Sequence, residues 1–276
     1  FLFLAENEIS KLPARAFSGL PNLEWLDLSK NKIDDSGLSF DVFKNLTKLK
    51  RLNLDGNHLT MLPFLPPSLQ ELKVNDNELK ELDKHSFRGL SNLLTLELEG
   101  NNFHDGNVNP LSFKPLKNLE LLDLSHNQLV HVPSFLPRGL RQLIIHHNQI
   151  ERIPGYVFAH LKPGLEFLHL SHNNLRDDGI HAISFFGLYK SLHELLLDNN
   201  LLQSVPRGIL SLKSLQVLRL SFNKIRHVPL NSICDTRVSV DSNLVSVHLE
   251  NNFINRRLIP PTAFSCIKTY HSVVLR

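Results

Sequence analysis

Apolar and polar positions alternate in a short frame that returns throughout the chain. In Leu23-Glu24-Trp25-Leu26-Asp27-Leu28-Ser29-Lys30-Asn31, leucines hold alternate positions and an asparagine closes the run. Alternation over so few residues predicts one short strand with successive side chains on opposite faces. Leu26 and Leu28 then point inward, and Trp25, Asp27 and Ser29 point outward. The same frame recurs at Leu49–Asn57, Leu69–Asn77, Leu93–Asn101, Leu119–Asn127 and Leu140–Asn148. It continues at Leu165–Asn173, Leu192–Asn200, Leu215–Asn223 and Leu244–Asn252, and a shortened copy, Leu2 to Asn7, opens the chain. No single copy can bury its leucines alone, so the copies are expected to stack around one continuous core. The asparagine falls where the chain leaves the strand. Its amide can there pair with backbone groups of its own turn and of the next one, which a buried turn requires.

The distance between successive asparagines varies in threes. Asn31 to Asn57 is long, Asn57 to Asn77 short, Asn77 to Asn101 medium, and the order then repeats. Short units carry Leu62-Pro63…Leu65-Pro66 and Val132-Pro133…Leu136-Pro137, where proline favours an extended return and excludes a helix interior. Long units open on Asp34-Asp35-Ser36-Gly37, His104-Asp105-Gly106 and Arg176-Asp177-Asp178-Gly179, with glycine expected to permit a tight turn. Medium units carry Phe17, Phe87 and Phe158, expected to line the convex half of the core. The frame is that of a leucine-rich repeat. The expected fold class is an α/β solenoid: a horseshoe of about eleven repeats with a parallel concave sheet and few helices on the convex side. Residues 1–223 form the solenoid, and 224–276 an elongated C-terminal repeat and cap.

The two cysteines, Cys234 and Cys266, both lie near the C-terminus, and neither has a C-x-x-C partner or histidines at zinc-finger spacing. A disulfide closing the last repeats implies an oxidising compartment; two buried free thiols are the alternative. The three-repeat rhythm resembles that of the small leucine-rich repeat proteoglycans of extracellular matrix. The segment from Cys234 through Leu249-Glu250-Asn251-Asn252-Phe253 to Cys266 is similar to that family's "ear", an elongated penultimate repeat pinned by a disulfide. The family's N-terminal cysteine cluster is absent and the chain starts inside a repeat, so a fragment lacking its first cap is expected. The resemblance implies a secreted matrix protein that binds matrix components, collagen or another fibrillar protein first among them, through the concave face. The rival reading is a receptor ectodomain or a secreted signalling antagonist using the same face.

Charge and composition narrow the field further. A formal net charge of +3 is too small to argue for nucleic acid. No apolar run approaches the ~18 residues that span a bilayer. No nucleophile elbow, phosphate loop or H-E-x-x-H is present, so neither an enzyme nor a cofactor is expected. Asn45-Leu46-Thr47 is the only N-x-[ST] sequon and lies on a return arc, where it would suit glycosylation. Lys44, Lys48, Lys50 and Arg51 could attract a glycosaminoglycan, but strand and arc positions need not converge, and a solvated face is the plainer reading. Ser36-Gly37 superficially suits glycosaminoglycan attachment, but the matching Gly106 and Gly179 assign the glycine to the fold.

The outward strand columns carry most of the functional information. One reads Phe1, Trp25, Arg51, Glu71, Thr95, Leu121, Gln142, Phe167, Glu194, Val217, Ser246. The other reads Phe3, Asp27, Asn53, Lys73, Glu97, Asp123, Ile144, His169, Leu196, Arg219, His248. An aromatic start around Trp25 gives way to an acidic middle and then to an apolar stretch through Leu121, Ile144, Phe167, Leu196 and Val217. Exposed apolar residues in a polar frame fit a protein-binding surface; crowding on a curved sheet is the bland alternative. His126, His147 and His172 occupy one frame position in consecutive repeats, flanked by His146 and His169. They could share a metal, act together as a pH switch, or merely suit a wet turn.

Overall fold

The computed structural model describes residues 1–238 and 242–276. The chain forms two compact units, one of residues 1–128 and 135–140, the other of residues 129–134 and 141–276. In the first unit β1 (Leu2–Phe3), β2 (Trp25–Asp27), β3 (Arg51–Asn53), β4 (Glu71–Lys73), β5 (Thr95–Glu97) and β6 (Leu121–Asp123) pair in sequence order, all parallel. In the second, β7 (Gln142–Ile144), β8 (Phe167–His169), β9 (Glu194–Leu196), β10 (Val217–Arg219), β11 (Ser246–His248) and β12 (Val273–Val274) do the same. The fold is the leucine-rich repeat solenoid, with about eleven turns. Its helical content among the described residues is confined to single 3-10 turns, at Asp105–Asn107, Asp177–Gly179, Ile209–Ser211, Arg256–Leu258 and Tyr270–Ser272. The last strand, β12, lies outside the repeating frame and covers the edge of β11.

The frame dictates each turn. Leu26, Leu52, Leu72, Leu96 and Leu122 in the first unit, and Leu143, Leu168, Leu195 and Leu218 in the second, are buried at the strand centres. A fully buried leucine contributes about 1.5–3 kcal/mol, and the second inward residue of each frame, leucine in most and Val74 or Ile145 in two, adds a comparable amount per turn. The asparagines do what the backbone demands of them. Asn31 Nδ2 donates to Leu4 O (2.9 Å) and Leu28 O (3.0 Å), while its Oδ1 accepts from Ile9 N (3.0 Å). Asn200 repeats the pattern, with Nδ2 on Leu170 O (3.0 Å) and Leu197 O (3.1 Å) and Oδ1 accepting from Leu175 N (3.0 Å). Asn31 and Asn200 thus tie their own turns to the preceding ones.

The residue just before each asparagine has a conformation that the sequence reading did not anticipate. Lys30, Asp76, His126, His147, His172, Asn199, Phe222 and Asn251 all have φ between 53° and 59°. Gly56 and Gly100 share the column, at 66° and 70°. Left-handed backbone is enriched in Asn, Asp and His among non-glycine residues, so the recurrence of histidine there has a local cause. Lys30 and Phe222 are the exceptions, and Phe222 is a bulky, 52% exposed side chain held at a strained position.

On the return side Phe17 stacks on Phe43 with ring centroids 6.2 Å apart, and Phe87 on Phe113 at 6.1 Å. Phe158 and Phe185 are fully buried in the second unit. The medium-unit phenylalanines therefore line the core as expected, joined by partners from the long units. The glycines of the long units act differently from the expectation of a tight turn. Gly37 and Gly179 are not left-handed; a Cβ on Gly37 would lie 1.7 Å from Ser10 O, and on Gly179 1.9 Å from Glu151 O. Glycine is required there because the backbone of the preceding repeat passes too close for any side chain.

Candidate functional site

The strand face of the first unit is a ladder of paired polar groups with aromatics at one end. Phe1, Phe3 and Trp25 form an edge-to-face group, with Phe3 and Trp25 centroids 5.0 Å apart, and the Arg51 guanidinium lies 4.9 Å above the Trp25 ring. Arg51 Nε also stands 3.8 Å from Glu71, and Lys73 Nζ bridges Glu71 (3.8 Å) and Glu97 (3.6 Å). Asn75 continues the ladder. Its Nδ2 donates to Glu97 Oε1 (3.1 Å), its N–H donates to Asp55 Oδ1 (2.7 Å), and its Oδ1 accepts from Glu99 N (2.7 Å). Burial pushes the Asp55 carboxyl above the usual carboxylate range, against the opposing hydrogen bonds from Asn75. Burial, aided by the Asp123 charge, raises Glu99 as well; His126 Nε2 stands 3.5 Å from that carboxylate. Leu121 belongs to this unit and is half-buried on β6.

The strand face of the second unit is built differently. Ile144, Phe167, Leu196 and Val217 are all half-buried and face outward, as expected. Strand register shows that they do not adjoin directly. Ile144 pairs with His169 and His169 with Leu196, while Phe167 sits between Gln142 and Glu194, and Glu194 pairs with Val217. The apolar residues are diagonal neighbours in a chequered face, close enough for long side chains to meet. The polar squares are partly engaged with one another. His169 Nε2 stands 3.6 Å from Glu194 Oε2, beyond hydrogen-bond length, and His248 Nδ1 lies 3.3 Å from Glu250 Oε1. Strand parity and frame spacing already contained this chequering.

The other sequence candidates lie apart from these faces. Cys234 and Cys266 are joined in a disulfide with Cα atoms 5.5 Å apart. Closing that loop contributes roughly 3–4 kcal/mol in the chain-entropy account. Asn45 and Thr47 are exposed on a return turn, where a glycosylating enzyme could reach them. Lys48 donates to Asn22 Oδ1 (2.9 Å), Lys50 pairs with Glu24 (3.4 Å) and Arg51 with Glu71, so the basic cluster is divided among separate partners. Ser36 Oγ donates to Asp34 Oδ1 (2.6 Å), and that bond leads the causes that hold the Asp34 carboxyl below the usual range. Of the histidine trio, His126 lies in the first unit, whereas His147 and His172 lie in the second, with their rings stacked at 4.2 Å. The sequence reading also passed over an apolar groove on the return side of the first unit, where Phe40 and Met61 are exposed beside Phe64 and Pro67.

Comparison with known proteins adds the family. Leucine-rich repeat models match residues 2–60, 67–129, 164–184 and 214–236. Human lumican is 34% identical over 277 aligned residues, covering 100% of this chain and 79% of lumican. Mouse keratocan is 32% identical over 283, covering 100% and 79%. Among solved structures, a chain from the octameric complex of Latrophilin 3, Unc5D and the FLRT2 leucine-rich repeats superposes with a TM-score of 0.72 at 25% identity. That likeness covers 84% of this chain and 76% of the other.

Proposed function

The chain belongs to the leucine-rich repeat family, among the relatives of lumican and keratocan, and from that premise we propose a secreted, non-enzymatic extracellular matrix protein that binds matrix components. The observation that carries this reading is the match to lumican, which spans 100% of this chain and 79% of lumican. The three-repeat rhythm and the disulfide-pinned C-terminal segment support placement with the small proteoglycans, with extracellular matrix protein 2 as the suggested counterpart. The binding face is the chequered strand face of the second unit, where Ile144 and Phe167 present apolar surface without being needed to fill the core. A fibrillar protein, collagen first, is the partner. A sulfated glycan on the Lys44–Arg51 cluster has less to recommend it, because Lys48, Lys50 and Arg51 are already held by separate groups.

Co-sedimentation of the folded chain with reconstituted collagen fibrils tests the reading. Wild type is expected to sediment with fibrils, and Ile144→Asp and Phe167→Asp to remain in the supernatant with unchanged thermal unfolding. Fibril binding by both variants at wild-type strength overturns the face. Absence of wild-type binding overturns collagen. The likeness to the chain from the Latrophilin 3, Unc5D and FLRT2 complex favours a second reading, a receptor ectodomain or secreted antagonist that uses the same face on cell-surface proteins. Retention of the chain on cells, without fibril binding, would favour it.

A further inference from the structure

His146 and His147 are adjacent in sequence, and in a continued strand their rings would point to opposite faces. Here they converge. His147 has φ 53°, which turns its side chain back beside that of His146. The ring centroids are 4.9 Å apart with the planes at 81°, and the two Nδ1 atoms face each other at 2.8 Å. The same turn two repeats later, with Asn199 at φ 56°, brings Asn199 Nδ2 to 2.9 Å from Asp198 Oδ2. Convergence of these two positions is therefore a property of the frame, which only here places imidazole at both. The backbone beneath the pair is fixed. His147 N donates to Ser171 O (3.0 Å), Asn148 N to Asn173 Oδ1 (3.1 Å), and Asn148 Nδ2 to His146 O (3.2 Å). The His172 ring lies nearly parallel to His147, 4.2 Å away with the planes at 14°.

Two imidazole nitrogens bound to one metal at ~2.0 Å and at right angles lie ~2.8 Å apart, whereas tetrahedral zinc spreads them to ~3.3 Å. The separation of the Nδ1 atoms matches the cis edge of a square-planar or tetragonal site. That geometry belongs to Cu(II) and Ni(II), and copper heads the divalent affinity series. We propose that His146 and His147 chelate Cu(II) through their Nδ1 atoms. His147 is exposed and His146 half-buried, so water can complete the coordination. Without metal, one ring donates its Nδ1 proton to the other. On binding, that proton moves to Nε2 of its own ring, leaving both Nδ1 lone pairs for the metal with no net change of charge on the pair. His172 is a positioning residue that holds the His147 ring by stacking.

Titration of copper(II) chloride into the folded chain, followed by calorimetry and electron paramagnetic resonance, tests the site. The variants take residues that the frame already uses: His146→Ser, as at Ser171, and His147→Asn, as at Asn199, which suits left-handed backbone. The first equivalent of copper is expected to bind wild type with two equatorial nitrogens and more tightly than zinc. Each variant is expected to weaken that equivalent by about 10–100-fold, since losing a ligand costs at least what losing an outer partner does, and to remove one nitrogen from the spectrum. His172→Asn is expected to keep both nitrogens with a smaller loss; unchanged affinity there overturns the positioning role. Wild-type affinity and spectrum in both His146→Ser and His147→Asn overturn the site, as does tighter binding of zinc than of copper.

Discussion

The strand faces of the two units share one backbone frame and carry different chemistry. On the first unit, the outward positions of β3 to β5 satisfy one another: Arg51, Glu71, Lys73, Glu97 and Asn75 are linked from strand to strand. On the second, Ile144, Phe167, Leu196 and Val217 are interspersed with His169, Glu194 and Arg219 and leave apolar surface half open. A self-satisfied polar face gains little by being covered, because its charges would have to be desolvated. A half-open apolar face gains free energy when covered. The inward leucines and the turn asparagines fix the fold, so the outward columns can differ from repeat to repeat without altering it.

The largest effect is expected where the two units are the same. Asn101 Nδ2 donates to Val74 O (2.9 Å) and Leu98 O (3.1 Å), and its Oδ1 accepts from Leu79 N (3.3 Å). Asn173 serves Ile145 O (3.1 Å), Leu170 O (3.0 Å) and Ile150 N (3.0 Å) in the same way. Replacing either with Ala should destabilise by several kcal/mol, at about 1–3 kcal/mol for each buried backbone group left unpaired. Because repeats couple only to their neighbours, the loss should show in hydrogen exchange as local opening around the altered turn. The exposed Asp178→Ala is the control. Asp177 would be a poor one, since it accepts from Gln203 N (2.8 Å) and Ser204 Oγ (2.8 Å). A large loss for Asn101→Ala beside none for Asn173→Ala would break the claim of a shared frame.

How much of this was legible in the sequence follows from what repeats. Leu26, Asn31 and their counterparts recur with the frame, so strands, core and asparagine bonds could be read directly. The left-handed position was also legible, since its occupants, Lys30, Gly56, Asp76, Gly100, His126, His147, His172, Asn199, Phe222 and Asn251, are mostly residues that tolerate positive φ. Reading that column for metal and pH chemistry obscures the local backbone cause and leaves His146, whose Nδ1 faces that of His147 at 2.8 Å, as a flanking residue only. The close approach of Gly37 to Ser10 O depends on how one repeat's return arc passes over the preceding one, and no single frame encodes it. Strand β12 carries no frame, and its pairing with β11 arises from tertiary contact alone.

A middle-sized effect should separate the two faces by their response to salt. Lys73 is the cation shared by Glu71 and Glu97, with about a third of its side chain exposed. Lys73→Met should cost about 0.5–1 kcal/mol at low ionic strength, and less in 1 M sodium chloride, where the repulsion left between the two carboxylates is screened. Phe167→Ala should cost about 1 kcal/mol through lost apolar contact, with no comparable dependence on salt. Denaturant midpoints at two salt concentrations measure both. Equal salt responses would mean that the ladder contributes no electrostatic stability and that the faces differ only in appearance.

The smallest effect concerns pH and has opposite signs at Asp55 of the first unit and Asp235 of the second. Burial raises the Asp55 and Glu99 carboxyls in the first unit, so the folded chain holds those protons more tightly than the unfolded chain does. Their contribution to stability therefore improves as pH falls through the folded values, and the penalty is complete above them. Asp55→Asn retains an acceptor for the Asn75 N–H and should raise the melting temperature slightly at pH ~7, with the advantage fading toward pH ~3, where wild type is protonated as well. In the second unit Asp235 is lowered, first by the side-chain hydrogen bond from Arg237 Nε (2.9 Å). Its contribution is present above the unfolded value and is lost as pH falls through the folded one. Asp235→Asn should thus be slightly destabilising at neutral pH and indistinguishable from wild type in acid. Melting curves of each variant against wild type across that range read the difference directly and cancel the acid response of every other carboxylate. Offsets that stay constant with pH, or that share one sign, would show that neither carboxyl's ionisation is felt by the fold.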